Sequence, residues 1–182
     1  MNIIVAITGA SGAIYARQVL SILSEHPAVE HIALILSDNA QAVIEAEGES
    51  LPHSERITRY DNDNMWASVA SGSAQWDAMI VVPASMGSVG RIASGISRTL
   101  IERAADVMLK ERRRLVMVVR EAPYSLIHLR NMTTLTEAGA IILPASPSFY
   151  FRPSDIETLA LTISERAIEM AGLRIEHREW GK

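Results

Sequence analysis

A glycine-containing segment near the start of the chain has the residue types of an anion-binding loop. Gly9–Gly12 (GASG) stands between an apolar run, Asn2–Thr8, and a segment with helical periodicity. Glycines let a ligand approach the backbone, and amides at the start of a helix carry partial positive charge. The segment therefore predicts a loop that binds phosphate or another anion.

The common nucleotide-binding patterns do not fit this loop. A G-x-G-x-x-G fingerprint fails because the glycine after Gly9 is Gly12, and T-G-x-x-G-x-x-G would need glycine in place of Tyr15. Ser37 stands where NAD-binding domains carry a ribose-binding acid, although Asp38 follows it. The chain has no Walker A loop and no Tyr-x-x-x-Lys pair. These features favour a phosphate or a flavin over NAD(P), and we interpret the ligand as flavin mononucleotide (FMN).

Hydrophobic patterning indicates strands and helices in alternation. The apolar runs predict strands at Asn2–Thr8, Ile32–Leu36, Ala78–Val82, Leu115–Val119 and Ala140–Leu143. Helical periodicity predicts one helix after the first loop and a second that ends near residue 47. A long helical pattern, interrupted by Gly95, covers 89–108, and two further helices are predicted at 126–135 and 155–171. The polar stretch 48–76 predicts an excursion with a short helix near Asn64–Ala70. Apolar strands that alternate with helices are typical of an α/β fold, a doubly wound, Rossmann-like parallel sheet with helices on both faces.

Ligands of such sheets bind beyond the carboxyl ends of the strands. The segments at those ends are 9–12, 37–39, 83–88, 120–123 and 144–153. Each contains Ser or Arg, whose side chains suit phosphate and other polar ligands. For any one segment an ordinary turn is the alternative, but all of them together favour a binding site.

Composition limits the class of protein. The 182 residues suit one domain, 1–182, with a C-terminal tail at about 172–182. The chain has no cysteine, which excludes disulfides and thiolate metal sites, and its histidines lack metal-ligand spacing. A net charge of −4 argues against nucleic-acid binding. Apolar runs are far shorter than the roughly 20 residues of a membrane span. We expect a soluble cytoplasmic protein with no signal peptide, no membrane partner and no metal.

Further segments extend the pattern beyond the first loop. They are GASGAIY from Gly9, PASM from Pro83, RAADV from Arg103, LKERR from Leu109, VREAP from Val119 and PSFY from Pro147. Together they resemble the UbiX-type flavin prenyltransferases, formerly described as aromatic acid decarboxylases. The resemblance covers residue 2 to about residue 170. It implies an FMN-binding α/β fold that is usually assembled as a dodecamer.

The resemblance also implies a reaction. The family transfers a dimethylallyl group, usually from dimethylallyl phosphate, to N5 and C6 of reduced FMN without a metal. The product is the prenylated cofactor of UbiD-type decarboxylases. Loss of phosphate from the donor requires cations and a phenol O–H to stabilise negative charge, and ring closure at C6 requires a base.

Site residues follow from the resemblance position by position. The FMN contacts are expected at Gly9, Ala10, Ser11, Ser37, Ser85, Met86, Gly87, Ser88 and Arg120. The catalytic residues are expected to be Ser11, near flavin N5, Glu121, which works with it in proton transfer, and Glu47. The donor phosphate is expected on Arg103, Lys110, Tyr150 and Arg166, contributed by more than one subunit. Each has an ordinary alternative: Arg120 and Glu121 could form an ion pair, and the charge run 110–114 could be a solvated helix end.

The chain departs from the family at a few positions. Ala84 stands where many relatives have Cys, Gly87 where some have Lys, and Ala74 where an aromatic residue is common. These positions touch the expected flavin and prenyl pocket, so the donor preference stays open. Trp180 is a candidate for the wall of that pocket.

Three other functions remain open at this point. An FMN-dependent cysteine decarboxylase shares the fold, but it carries a catalytic His before the third strand, where Ser71–Ser73 stands here. A partner subunit that helps a decarboxylase without chemistry of its own is the second possibility, and a non-catalytic flavin-binding protein is the third. Such a protein would not need the four expected phosphate-binding residues.

Overall fold

A parallel sheet of six strands forms the centre of residues 1–175, the part of the chain that the computed structural model describes. The strands are β1 Asn2–Ile7, β2 His31–Leu36, β3 Ile57–Tyr60, β4 Ala78–Ala84, β5 Arg114–Val119 and β6 Ile141–Pro144. The helices are α1 Ala13–Glu25, α2 Ala40–Ala46, α3 Met86–Ala93, α4 Leu100–Lys110, α5 Leu126–Glu137 and α6 Ile156–Met170. The strand order is β3-β2-β1-β4-β5-β6, with every neighbouring pair parallel. This confirms the doubly wound, Rossmann-like fold. The expected Trp180 contact lies outside the described residues.

Side chains of the strands alternate between two cores. Ile3, Val5 and Ile7 of β1 pack against α1 and α6, and we call this side of the sheet the α1/α6 face. Ile4 and Ala6 pack against α3 and α4 on the other side, the α3/α4 face. Because successive strand residues point to opposite faces, side chains on α4 and α6 are separated by the sheet.

The long helical pattern over 89–108 is two helices. After α3, Gly95 adopts φ +69°, a conformation that L side chains rarely take, and the helix ends there. A capping box then begins α4: Thr99 Oγ1 accepts the Glu102 N–H at 3.5 Å, and the Glu102 carboxylate accepts the Thr99 N–H at 3.0 Å. The break places the start of α4 beside the loops at the carboxyl edge of the sheet.

Residues 48–76 contain a strand that the sequence pattern did not predict. β3 pairs with β2, with Ile57 opposite Ile32, and forms one edge of the sheet. The expected helix near Asn64–Ala70 is one turn of 3₁₀ helix, Ser68–Ala70. A four-residue edge strand whose side chains are only partly buried carries too little hydrophobic pattern to be recognised.

Candidate functional site

A polar cleft of about 580 Å³ opens at the carboxyl edge of the sheet. Five of the residues expected to contact the cofactor line this cleft: Gly9, Ser37, Ser85, Gly87 and Ser88. Polar residues of the cleft that the sequence did not single out are Asn62, Arg91, Arg98, Thr99 and Glu102. The fold therefore brings the loops after β1, β2 and β4 together, as expected of strand ends in a parallel sheet.

Two buried polar atoms at expected cofactor contacts have no hydrogen-bond partner in the described part of the chain. They are Ser37 Oγ and Arg120 Nε. The backbone of Arg120 is fixed, because its N–H donates to the Ala84 carbonyl at 3.2 Å. A buried polar group without a partner costs about 1–3 kcal/mol, so proteins rarely leave one unused. Both atoms are therefore available to a ligand.

Thr8 joins the first loop to the end of β4. The backbone register of β1 and β4 ends at Ala6 opposite Val81. Beyond that point the Thr8 hydroxyl, on a residue that is 1 % exposed, donates to the Pro83 carbonyl at 2.7 Å and accepts the Ser85 N–H at 2.7 Å. The Thr8 backbone N–H also donates to the Pro83 carbonyl, at 3.3 Å, so the backbone and the buried hydroxyl of one residue together join two loops that line the cleft.

Replacement of Thr8 by Val is expected to lower the free energy of unfolding by about 1–3 kcal/mol, because the Ser85 N–H loses its buried partner and the Pro83 carbonyl keeps only the backbone N–H of residue 8. Chemical denaturation monitored by circular dichroism measures the change. Thr8→Ser keeps the hydroxyl and serves as the control, with a smaller loss that reflects one missing methyl group. Equal losses in the two variants would mean that the hydroxyl contributes nothing.

Glu47 closes the amino terminus of α1. Its carboxylate accepts the Gly12 N–H at 3.0 and 3.1 Å and the Ala13 N–H at 2.7 Å. The sequence predicts that the loop 9–12 binds a ligand anion; for the amide of Gly12, which ends that loop, the acceptor is instead this carboxylate. The anion at the helix terminus is a side chain of the protein itself, since a carboxylate is stabilised there by the amides and the helix dipole.

The ionisation of Glu47 connects two of the expected catalytic and binding residues. Burial raises the pKa of the Glu47 carboxyl, but hydrogen bonds from the Ser11 side chain and from the Ala13 and Gly12 amides, with the charge of Arg120, outweigh burial and lower it. Glu47 therefore stabilises the fold above the ordinary carboxyl pKa. That contribution disappears as the pH falls through the lowered pKa.

Two serines shape the third loop. Ser85 is the N-cap of α3, and its hydroxyl accepts the Ser88 N–H at 3.4 Å and lies 3.2 Å from the Ser88 hydroxyl. Met86 and Ala10, which are also expected at the cofactor, are each 6 % exposed, and Met86 packs in the core of the α3/α4 face. These two residues leave little more than their backbone for a ligand.

Glu121 follows Arg120 directly at the end of β5. Its carboxylate accepts the Ala122 N–H at 3.1 Å. Arg120 and Glu121 do not form the ion pair considered above within residues 1–175, and the charge of Arg120 acts on Glu47. Glu121 is thus a partly exposed carboxylate at the carboxyl edge of the sheet.

The residues expected to bind the donor phosphate lie in separate places. Arg103 and Lys110 are on α4, over the α3/α4 face, whereas Arg166 is on α6 over the opposite face. Tyr150 follows β6 and is 73 % exposed. Lys110 ends α4 just before β5 begins, so it lies at the amino edge of the sheet, away from the cleft. One chain does not bring these side chains together.

Each of the three cations has an acidic partner nearby in sequence. The pairs are Arg103–Asp106, Lys110–Glu111 and Arg166–Glu169. Arg166 also lines a second cavity of about 430 Å³ between α6 and the loop after β6, with Phe151 and Leu161 among its apolar walls. Ion pairs at an exposed surface contribute little to stability, so a phosphate can compete for these cations.

Residues 1–175 contain neither a metal-binding cluster of side chains nor a membrane-spanning helix. No group of three or more His, Asp or Glu side chains there is arranged to hold a metal ion. No helix in that range has the length and apolar character needed to cross a bilayer.

The fold and the polar edge of the sheet define a flavoprotein, and residues 1–169 match the Flavoprotein family. The chain is 42 % identical over 176 residues to flavin prenyltransferase UbiX of Thermoplasma acidophilum, covering 95 % of this chain and 96 % of the relative. The crystal structure of AnUbiX in complex with FMN and dimethylallyl pyrophosphate is 42 % identical, covers 98 % of each chain and has a TM-score of 0.88. A dodecameric FMN-dependent UbiX-like decarboxylase from Escherichia coli is 36 % identical over 100 % of each chain, with a TM-score of 0.92. The chain belongs to the UbiX-type flavin prenyltransferase family, and the resemblance is confirmed.

Proposed function

We propose that this protein transfers a dimethylallyl group from dimethylallyl phosphate to N5 and C6 of reduced FMN, without a metal. Membership of the family over the length of the chain supports the reaction class. One observation of the fold carries the proposal: Ser37, Ser85 and Ser88, all expected FMN contacts, meet in a single cleft where the Ser37 hydroxyl is buried and unpartnered.

Residues at the carboxyl edge of the sheet fit a phosphorylated flavin. Ser37 Oγ and Arg120 Nε are buried hydrogen-bond donors that need an acceptor, and FMN offers phosphate and ring acceptors. Gly9 allows the first and second loops to pack closely, because a Cβ there would lie 2.8 Å from Asn39 Cβ. We therefore assign these loops to FMN binding.

Proton transfer is the proposed task of three side chains. Reduced FMN supplies the two nucleophilic ring atoms when it is bound. Ser11, hydrogen-bonded to Glu47, is assigned to hold a proton near N5, and Glu121 is assigned to accept the proton released from C6. Because its pKa is lowered, Glu47 acts as an ionised acceptor that fixes the direction of the Ser11 hydroxyl.

Binding of the donor phosphate is assigned to residues of neighbouring copies. Breakage of the allylic C–O bond leaves phosphate, whose negative charge is stabilised by fixed cations and O–H donors. The residues with this chemistry are Arg103, Lys110, Tyr150 and Arg166. Since Lys110 lies at the amino edge of the sheet and Arg166 lies across it, more than one chain has to contribute.

Exposed apolar side chains support assembly into an oligomer, and we propose the dodecamer of the Escherichia coli relative. The large exposed apolar residues include Trp66, Leu126, Ile127, Phe149, Tyr150 and Ile156. Apolar surface of this kind is usually covered by a partner. The segment from Phe149 to Ile156 adjoins Arg166 in space, which links the proposed interface to the donor phosphate.

Anaerobic incubation with reduced FMN and dimethylallyl phosphate is expected to yield a flavin heavier by one five-carbon unit, read by mass spectrometry. The Thermoplasma acidophilum relative provides the positive control, and a parallel reaction with dimethylallyl pyrophosphate determines the donor preference. Recovery of FMN alone, while the relative converts its flavin, would contradict the proposed function. Supply of the product to a UbiD-type decarboxylase and a cytoplasmic location stay predictions.

A further inference from the structure

An arginine and a buried glutamate at the cleft have no role in the reaction described so far. Arg91 comes from α3 and Glu102 from α4, and both line the cleft beside Ser88. Neither stands in a segment that the sequence marked as a strand end. Their contacts assign them a task in flavin binding, which rests on the proposed function.

Glu102 is a buried carboxylate whose hydrogen-bond partners all line the cleft. It is 2 % exposed, accepts the N–H groups of Arg98 and Thr99 at 2.9 and 3.0 Å, and pairs with Arg91 Nε. Burial raises the pKa of Glu102, but the hydrogen bond from Arg91 and those from the two amides lower it overall. An ionised buried carboxylate requires its partner, so Glu102 fixes the Arg91 guanidinium.

The fixed guanidinium lies over the first turn of α3. Arg91 Nη2 donates to Ser88 Oγ at 3.3 Å, and Ser88 Oγ lies 3.2 Å from Ser85 Oγ. Position 87 has no side chain, and a Cβ there would lie 3.2 Å from Arg91 Nη1. Gly87 therefore leaves room for the guanidinium beside the helix amino terminus, where anions are favoured.

The charges around the cleft leave Arg91 able to bind an anion. Glu102 is occupied by its amide and guanidinium donors, Asp38 is exposed, and Arg98 adds a second cation. A guanidinium has five N–H donors in a planar fork, so it can bridge a carboxylate on one edge and a phosphate on the other. The buried Ser37 hydroxyl lines the same cleft without a partner.

We propose that Arg91 binds the phosphate monoester of FMN, with the Ser37 and Ser88 hydroxyls, and that Glu102 is its positioning residue. The cleft then selects phosphorylated flavin over riboflavin, which has the same ring and ribityl chain without the phosphate. The positive charge of Arg91 attracts the phosphate, and Glu102 orients the Arg91 guanidinium toward it. Their loss therefore changes the preference between the two flavins rather than flavin binding in general.

The test compares dissociation constants for FMN and riboflavin, measured by quenching of flavin fluorescence. Arg91→Gln is expected to weaken FMN binding by about tenfold or more and to leave riboflavin binding unchanged, because a charge-assisted hydrogen bond is lost. Glu102→Gln is expected to weaken FMN binding less, in the same direction. Arg91→Gln leaves the buried Glu102 carboxylate without its cation and can destabilise the fold for that reason. The double variant Arg91→Gln with Glu102→Gln removes both charges, so it provides a folded protein without the guanidinium. Arg130→Gln removes the same charge from α5 and is the control.

The outcomes separate this inference from the proposed function. Wild-type protein that binds neither flavin contradicts the proposed function itself. Wild-type protein that binds riboflavin as tightly as FMN overturns only the phosphate site. Equal weakening of both flavins in Arg91→Gln and the double variant, or no change in either, overturns the role of Arg91.

Discussion

Replacement of Glu121 by Gln is expected to lower turnover by about a hundredfold or more while FMN still binds, because a positioned base contributes that much to proton transfer. Glu121 is the partly exposed carboxylate that follows Arg120 at the end of β5, and its one described hydrogen bond is to the Ala122 N–H. Gln has almost the same shape and can accept that bond through its amide oxygen, but it cannot take up a proton. The change therefore removes the chemistry and keeps the geometry.

Single-turnover formation of the prenylated flavin measures this effect, and flavin fluorescence measures FMN binding. Glu25→Gln, at the end of α1 and away from the cleft, is the matched control and should keep full activity. If Glu121→Gln turned over at the wild-type rate, Glu121 would have no part in the proton transfer. Loss of FMN binding in the same variant would instead make Glu121 a structural residue.

Much of the fold and part of the cleft follow from local sequence. Apolar runs mark the inner strands, and the parallel arrangement brings the residues after them to one edge, so Ser37 and Ser85 could be placed together in advance. The edge strand β3 was missed because a short, half-exposed segment has little pattern. Gly95 interrupts the helical period visibly, but the period alone does not reveal that two helices result.

Interactions between distant residues explain what the sequence could not reveal. Glu47 reaches the amides of Gly12 and Ala13 from 35 and 34 residues away. Glu102 reads as an ordinary polar position of a helix, yet it is 2 % exposed and pairs with Arg91 on another helix. Local periodicity says where a side chain points relative to its own helix, whereas these pairings depend on how α2, α3 and α4 pack around the sheet.

Oligomers that mix two impaired variants are expected to regain activity. Lys110→Ala and Arg166→Ala should each lose activity by about tenfold or more, since each removes a cation that stabilises the departing phosphate. Lys110 lies at the amino edge of the sheet beside the α3/α4 face, and Arg166 lies on the α1/α6 face, so one site takes them from different copies. In a random mixture, half of the sites receive an intact Lys110 and, independently, half receive an intact Arg166. About a quarter of the sites therefore have both residues, which restores about a quarter of the wild-type activity.

Co-expression with two different affinity tags, followed by both purifications, isolates the mixed oligomers for this measurement. The control combines Lys110→Ala with a chain that carries both substitutions, where every site lacks Lys110 and no recovery is expected. If instead one chain supplied both residues to its own site, every site in the first mixture would lack one of them, and activity would stay at the level of the single variants. Recovery of activity therefore distinguishes a site shared between copies from a site within one chain. Loss of activity in either variant alone does not distinguish them, because both arrangements predict it.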